Sequence, residues 1–331
     1  MLTKKISYRQ KILVLLALSL LTYFFLLWSL SYLYRKFEIV RPWVDLSLAE
    51  MNWGLIVAPF LGLAATSFCI LLERFLMRDK RSTFELVLVS NKPNNSIKND
   101  LFYLFLRISG LTMLMGFLLS GGSFYLTTNY IKQHFSFNLI NDLSLIQQVA
   151  ALVVFESVGF YLSHRLMHTR LLWEIHKVHH AATEYNVLLP YRNHPVDYWL
   201  GGVVLTFFHA LAGGSFAAIL INKGLNAVYQ SMVHSRLKWP EWLDSIFITP
   251  QAHILHHSLD PRHRNRNFGT LCFWDKILGT YMKPIDEEVS IGIEDLDVNT
   301  GHCALELCLV IKKWGISVAD ALNFRKSIAS E

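Results

Sequence analysis

Four runs of apolar residues, at about 12–34, 54–77, 102–127 and 145–163, are long enough to cross a bilayer, because about 20 helical residues match its hydrocarbon thickness. A fifth, about 197–233, is interrupted by Gly201, Gly202, Gly213, Gly214 and Gly224 and carries His209. It reads as two shorter helices, a hairpin that enters and leaves from the same side. Ser90 to Asp100 is polar by composition and reads as a loop. Beyond 285 the chain begins acidic, with Asp286, Glu287, Glu288, Glu294, Asp295 and Asp297, and turns apolar and helical from Ala304 to Leu322. Leu305, Leu309, Trp314 and Val318 are the expected buried or interfacial positions of that helix, which either packs on the bundle or lies on the membrane surface. The pattern predicts an all-α, polytopic integral membrane helical bundle. It divides into an N-terminal transmembrane hairpin and cytosolic loop (1–100), a membrane-embedded catalytic domain (101–284) and a partly helical cytosolic tail (285–331).

Composition supports a membrane class: 53% of residues are hydrophobic and 17% charged, against roughly 25% charged in soluble domains. The basic stretch Met1 to Lys11 precedes an apolar run too long for a signal-peptide core, so an uncleaved first span is expected. Basic residues set orientation. Lys4, Lys5, Arg9 and Lys11 precede the first span, and Arg74, Arg78, Lys80, Arg81, Lys92 and Lys98 surround the loop after the second. Lys132 stands alone after the third, while Arg35, Lys36 and Arg41 argue weakly the other way. The balance places the N-terminus and everything after residue 163 in the cytoplasm. The net charge of +6 is explained by this bias and by anionic headgroups, without a nucleic-acid partner. Cys69, Cys272, Cys303 and Cys308 lack metal-site spacing, and a disulfide framework is not expected in a reducing compartment.

The chemistry lies in three histidine boxes: His164-x3-His168, His176-x2-His179-His180 and His253-x2-His256-His257. Residues three and four apart share a helix face, so each box presents its imidazoles together. Eight imidazoles exceed what one ion takes from protein and suit two. Thr249-Pro250 is a helix start that puts the third box in the first two turns of its helix. His234, returning to the same surface at the end of an apolar segment, is a further ligand candidate. His194, between Pro190 and Pro195, is a candidate ligand or the partner of one. His209, His134 and His302 are not expected to bind metal, and His209 reads as a hydrogen-bonded bundle histidine. His263 lies among Arg262, Arg264 and Arg266, a cluster suited to lipid headgroups or to an acidic electron-transfer partner. Glu156, two turns before the first box, sits at membrane depth where a lone charge is costly. It faces either the metal region and substrate channel or a hydrogen bond to a neighbouring helix.

Carboxylate sets of soluble di-iron bundles, H-E-x-x-H motifs, Gly-rich nucleotide loops and G-x-S-x-G are absent from the sequence. An all-nitrogen set disfavours an iron–sulfur cluster. Two irons so held could bind O2, accept two electrons and oxidise an unactivated C–H bond, and a membrane setting implies a lipid-soluble substrate. A zinc-dependent membrane hydrolase is an alternative, with Glu184 or Glu174 as its base. A non-enzymatic metal transporter is another, although it would place its histidines at the bilayer midplane.

The order of the boxes closely resembles the fatty acid hydroxylase and sterol desaturase superfamily of membrane di-iron oxygenases. The ending Asn267-Phe268-Gly269, then Phe273-Trp274-Asp275-Lys276-Ile277-Leu278-Gly279-Thr280-Tyr281, resembles that family's, as do Thr249-Pro250 and His194-Pro195. The likeness covers about 145–284. It implies a cytosol-facing histidine-rich site for two non-haem iron ions, with O2 as co-substrate and electrons from cytochrome b5 or a ferredoxin-type donor with its reductase. The metal ligands it implies are His164, His168, His176, His179, His180, His253, His256 and His257, with His194 and His234 added. That superfamily hydroxylates, desaturates, cleaves ether lipids and handles aldehydes, so hydroxylation of a fatty acyl or sterol-like lipid is expected ahead of desaturation, in a bacterial inner membrane or the endoplasmic reticulum. Asp275 is expected to anchor the last segment by hydrogen bonding. Ser235-Arg236 departs from the Asn that many members carry there. Spans three and four with 197–233 are the expected walls of the substrate cavity.

Overall fold

The computed structural model describes residues 8–36, 48–77, 81–90, 93–295 and 298–328. Of the charged residues that bear on orientation and on the acidic tail, Lys4, Lys5, Arg41, Arg78, Lys80, Lys92 and Asp297 lie outside the described residues. Among those described, the regular elements are helices, with two isolated antiparallel bridges, Phe247–Leu271 and Ser258–Ile291.

Helices α1 (Tyr8–Lys36) and α2 (Leu48–Met77) open the chain. In α2, Phe68, Leu71 and Phe75 point outward while Cys69 and Glu73 are fully buried. In α6 (Leu145–Met167), Ile146, Val154 and Leu162 are exposed, and Glu156, Ser163 and His164 face inward. Apolar groups outside and polar groups inside is the arrangement of a helix in lipid. Phe60–Met77 of α2 and the whole of α6 are long and apolar enough to cross a membrane, and Ile12–Leu26 adds a shorter apolar stretch.

The third apolar run is not one span. It is divided among α3 (Asn95–Ile108), α4 (Leu111–Leu119) and α5 (Ser123–Phe135). The helices α3 and α4 meet at 80° and make a third crossing only as a bent pair. Gly110 (φ +76°) and Gly122 (φ +77°) make the breaks, because a left-handed residue ends the helical hydrogen-bond ladder and glycine adopts it without strain. The polar stretch before it is also shorter as a loop than the sequence predicts. Asn94 caps α3 by accepting the Ile97 N–H (3.0 Å), so residues 95–100 are helical, and Asn99 and Asp100 are fully buried.

The 197–233 segment forms the predicted two helices, α8 (Pro195–Ala212) and α9 (Phe216–Val233). Gly213 turns between them at φ +77°, where a Cβ would lie 2.7 Å from the Asn138 Cα. The fold places α8 across α6, α5 and α4, and α9 against α2 and α6. Between α6 and α9, Glu156 accepts hydrogen bonds from Asn222 and from Asn226 (3.1 Å), and His209 Nε2 of α8 lies 3.8 Å away. Of the two roles open to Glu156, the observed one is a polar tie between helices. The last helix, α12 (Cys303–Ile328), packs on α7 (Trp173–His180) and α3. Its buried stripe is Leu307 and Val310, continued by the partly buried Trp314, whereas Leu305 is exposed. Glu306 sets the rotation of the first turn by accepting the backbone N–H groups of Asn299, Thr300 and Gly301, which turns Leu305 outward, while the predicted Leu309, Trp314 and Val318 are half-buried.

Candidate metal centre

The helix α6 runs out at His168, delivering His164 and His168 one turn apart. A short turn leads into α7, which carries His176, His179 and His180. The third box lies on α10 (Pro250–His256), whose N-cap and first residue are Thr249 and Pro250 as predicted. His234 ends α9.

Contrary to the expectation that each box presents its imidazoles together, the helical spacing divides those of the second and third boxes in two. At 100° per residue, positions i and i+4 lie about 40° apart, while i+3 and i+4 are separated by about 100°. His176 and His180 accordingly face one group and His179 the other. The third box is used in the opposite sense, with His253 and His257 in the second group and His256 in the first. The result is His164, His168, His176, His180 and His256 in one set and His179, His234, His253 and His257 in the other. Within each set one ring nitrogen from every residue lies within 4.8 Å of the rest. The sets abut, with the rings of His180 and His257 stacked at 4.5 Å between centroids.

The orientation of the rings tests whether metal ions fit. His164 Nδ1 donates to the Phe268 carbonyl (2.9 Å) and His256 Nδ1 to the Arg266 carbonyl (2.6 Å). Each ring therefore carries its proton on Nδ1, and the two Nε2 lone pairs face each other at 2.9 Å. Two lone pairs at that distance repel unless a cation lies between them. The pairs His168–His180 (3.1 Å) and His234–His253 (3.2 Å) also face through Nε2. Nitrogens at right angles on an ion with bonds of about 2.0–2.1 Å stand about 2.9 Å apart. His176 Nε2, His179 Nδ1 and both nitrogens of His257 are buried without a hydrogen-bond partner. These residues fit a pair of metal ions, and a neutral imidazole set suits iron, zinc or copper.

Protonation points the same way. Burial, reinforced by repulsion from neighbouring imidazoles, holds His168, His179, His180, His253, His256 and His257 well below the ordinary histidine range. At neutral pH they are uncharged and keep their lone pairs.

Outer contacts orient the ligand rings. His176 Nδ1 donates to Asp197 Oδ2 (2.8 Å) and His234 Nδ1 to the Gln230 carbonyl (2.8 Å). Asp275 acts as the expected anchor: its carboxylate accepts the N–H groups of Phe268 (2.8 Å) and Gly269 (2.7 Å) and the Thr280 hydroxyl (2.7 Å). That fixes the Phe268 carbonyl on which His164 rests. Glu73 of α2 supports the turn after His234 by accepting the Arg236 N–H (3.0 Å), so the Ser235-Arg236 departure is accommodated from another helix.

Other sequence candidates lie elsewhere. His194 belongs to neither set. It is buried at the start of α8, where its Nδ1 accepts the Val196 N–H (3.2 Å) as an N-cap, a role imposed by the following Pro195. His263 is buried while Arg262 pairs with Asp260 (2.5 Å). Glu174 is bonded to Lys177 (2.6 Å). Glu184 accepts from Asn94 (3.1 Å) and lies 3.7 Å from Arg236. Neither carboxylate joins the histidine sets, which removes the bases on which the hydrolase alternative rested.

Two residues were not singled out from the sequence. Asp197 follows Pro195 by two, an acidic residue in the first turn of a helix that reads as an ordinary dipole partner. Arg192, read only as part of a turn, is fully buried. It donates to the Val178 carbonyl (2.8 Å), Asp100 (3.0 Å) and Asn299 (3.0 Å), joining α7, α3 and the approach to α12.

Sequence comparisons agree with this geometry. The fatty acid hydroxylase family model matches residues 149–280, a segment containing all nine clustered histidines. The ornithine lipid hydroxylase OlsE of Rhizobium tropici is 34% identical over 145 residues, 42% of this chain and 42% of that protein. An alkylglycerol monooxygenase of Danio rerio is 30% identical over 139 residues, 41% of this chain and 30% of the relative. The Delta(7)-sterol 5(6)-desaturase erg3B of Aspergillus fumigatus is 28% identical over 144 residues, 41% and 40% respectively. The chain thus spans less than half the length of these relatives, and no solved structure matches it. The histidine-bearing segment of this chain, residues 149–280, is thus similar to the fatty acid hydroxylase family.

Proposed function

We propose that this protein is a membrane-embedded, O2-dependent oxidoreductase that hydroxylates a C–H bond of a lipid, using two iron ions held by the nine clustered histidines. The observation that carries the reading is the opposed Nε2 pair of His164 and His256, both Nδ1 protons being committed to carbonyls. The family likeness and the lipid-modifying relatives supply the reaction class.

His164, His168, His176, His180 and His256 would hold one ion and His179, His234, His253 and His257 the other. When bound, the iron pair supplies O2 activation with two external electrons and two protons, so that one oxygen atom enters the C–H bond and the other leaves as water. The chain's own contribution is preorganisation. Phe268 O, Arg266 O, Gln230 O and Asp197 fix ring tautomer and direction. Burial excludes water from the sets, in which His168 alone among the nine is partly exposed. A narrow cleft between α4 and α8, lined by Thr112, Met113, Gly116, Phe117, Tyr198 and Trp199, is the proposed side of lipid access. The cytoplasm is the proposed location of the histidine sites, with cytochrome b5 or a ferredoxin-type protein as electron donor.

Metal analysis and Mössbauer spectroscopy of detergent-purified protein grown on iron-57 provide the test. The expected result is two coupled irons per chain and oxygen-18 from O2 in a lipid product. Zinc that persists after anaerobic iron reconstitution, with no O2-dependent turnover, would overturn it.

A further inference from the structure

We infer that residues 290–295 and 298–314, outside the family-matched region, form a strap that sets the second histidine box against the third, with Asp295, Asn299 and Trp314 as positioning residues.

The strap first joins the third box. Leu259 N–H donates to the Ser290 carbonyl (2.9 Å), and Gly292 N–H donates to the carbonyl of His257 itself (3.1 Å). It then grips the helix of the second box at three places. Asp295 Oδ2 accepts from Lys177 Nζ at 2.6 Å, and Lys177, between His176 and Val178, is 2% exposed. Asn299 Nδ2 donates to the Ala181 carbonyl (2.9 Å) at the end of α7, while its Oδ1 accepts from Arg192. Trp314 Nε1 donates to the Leu171 carbonyl (2.9 Å) just before α7 begins. Start, middle and end of the box-two helix are each held by this one stretch of chain. Glu306 makes the stretch rigid by binding the backbone of Asn299, Thr300 and Gly301 (2.7–3.1 Å) to the first turn of α12.

The consequence follows from the division of the boxes. Each histidine set draws on both boxes: His176 and His180 meet His256 in one, His179 meets His253 and His257 in the other. A rotation of α7 relative to α10 would therefore open both sets at once. A buried ammonium also requires its partners, so the Lys177 contacts fix the rotation of α7 about its own axis. Glu174 shares Lys177 at 2.6 Å, but it lies on the same helix and cannot set this angle. Only a group from outside α7 can do so.

The inference rests on the proposed metal ligation, and cobalt(II) titration of metal-free, detergent-purified full-length protein separates the two. Ligand-field absorption reports affinity and geometry without requiring turnover. Asp295→Asn is expected to weaken cobalt binding roughly 10–100-fold, the range for outer partners of metal ligands, and to shift the ligand-field bands, with helical circular dichroism unchanged. Asp295→Glu should recover most of the affinity. Trp314→Phe, which keeps an aromatic ring and removes one N–H, should shift the bands in the same direction. Wild-type affinity and bands in both Asp295→Asn and Trp314→Phe would overturn the strap alone. Affinity that falls only in proportion to lost helix would also overturn it, as mere destabilisation. Failure of the wild-type protein to bind cobalt would overturn the ligation and the strap together.

Discussion

At the scale of single residues, the two sets can be addressed separately. His256→Ala and His179→Ala each remove one ligand from a different set. Each should lower bound metal from two ions toward one and abolish turnover, with membrane insertion unchanged; metal analysis of the membrane-extracted protein checks this, and full occupancy in both would sink the ligand assignment. Asp197→Ala frees His176 to rotate and should weaken metal binding roughly 10–100-fold, read by competition with a chelator. The pH dependence has a definite sign. His179, His180 and His257 have folded pKa values below the unfolded value of about 6.5, because burial disfavours their charged form. Their contribution to the stability of the metal-free protein is complete above about pH 6.5 and is lost as pH falls, since the unfolded chain takes up protons first. Thermal melting of metal-free protein between about pH 8 and pH 5 should show Tm falling on acidification. The histidine spacing was legible in the sequence because it is a helical repeat. Asp197 was not, because its partner His176 lies 21 residues away on another helix.

At the scale of elements, apolar length predicted existence better than continuity. The 145–163 run is one helix and 197–233 is the predicted pair, but 102–127 is divided by glycines whose left-handed backbone hydropathy does not register. Gly213 shows how tightly such a turn is held: a Cβ there would lie 2.7 Å from both the Asn138 Cα and the Asn141 side-chain oxygen. Gly213→Ala combines this crowding with backbone strain of about 1–3 kcal/mol at positive φ and should lower Tm in detergent without altering the metal-site spectrum. The buried ion pair Arg192–Asp100 is the stronger case. Arg192→Ala leaves Asp100 fully buried without its cation and is expected to destabilise by about 3–5 kcal/mol, measured by thermal unfolding against wild type.

At the scale of the whole molecule, the outward Phe68, Leu71, Phe75, Ile146, Val154 and Leu162 call for a lipid surround. The histidine sets occupy the C-terminal end of α6 and the helices beyond it. Since α12 packs on α7, Cys308 on its exposed face reports the side on which the sets lie. The proposed cytoplasmic placement predicts that a membrane-impermeant maleimide labels Cys308 only after cells are opened. Labelling in intact cells would reverse the orientation.

The sequence by itself determined the membrane class, the helical boxes, and the use of imidazole at residues three and four apart, because these are local periodicities written along one helix. The 100° step also permits the division of the second and third boxes, which the expectation of one shared face per box missed. Tertiary structure decided which histidine meets which, set His194 outside both sets as a helix cap, and brought in Asp197, Arg192 and Glu73. It also made a tail of ordinary composition the brace between two boxes. Such assignments depend on how separate helices approach one another, and the hydrophobic pattern specifies only that they must pack, not at which rotation.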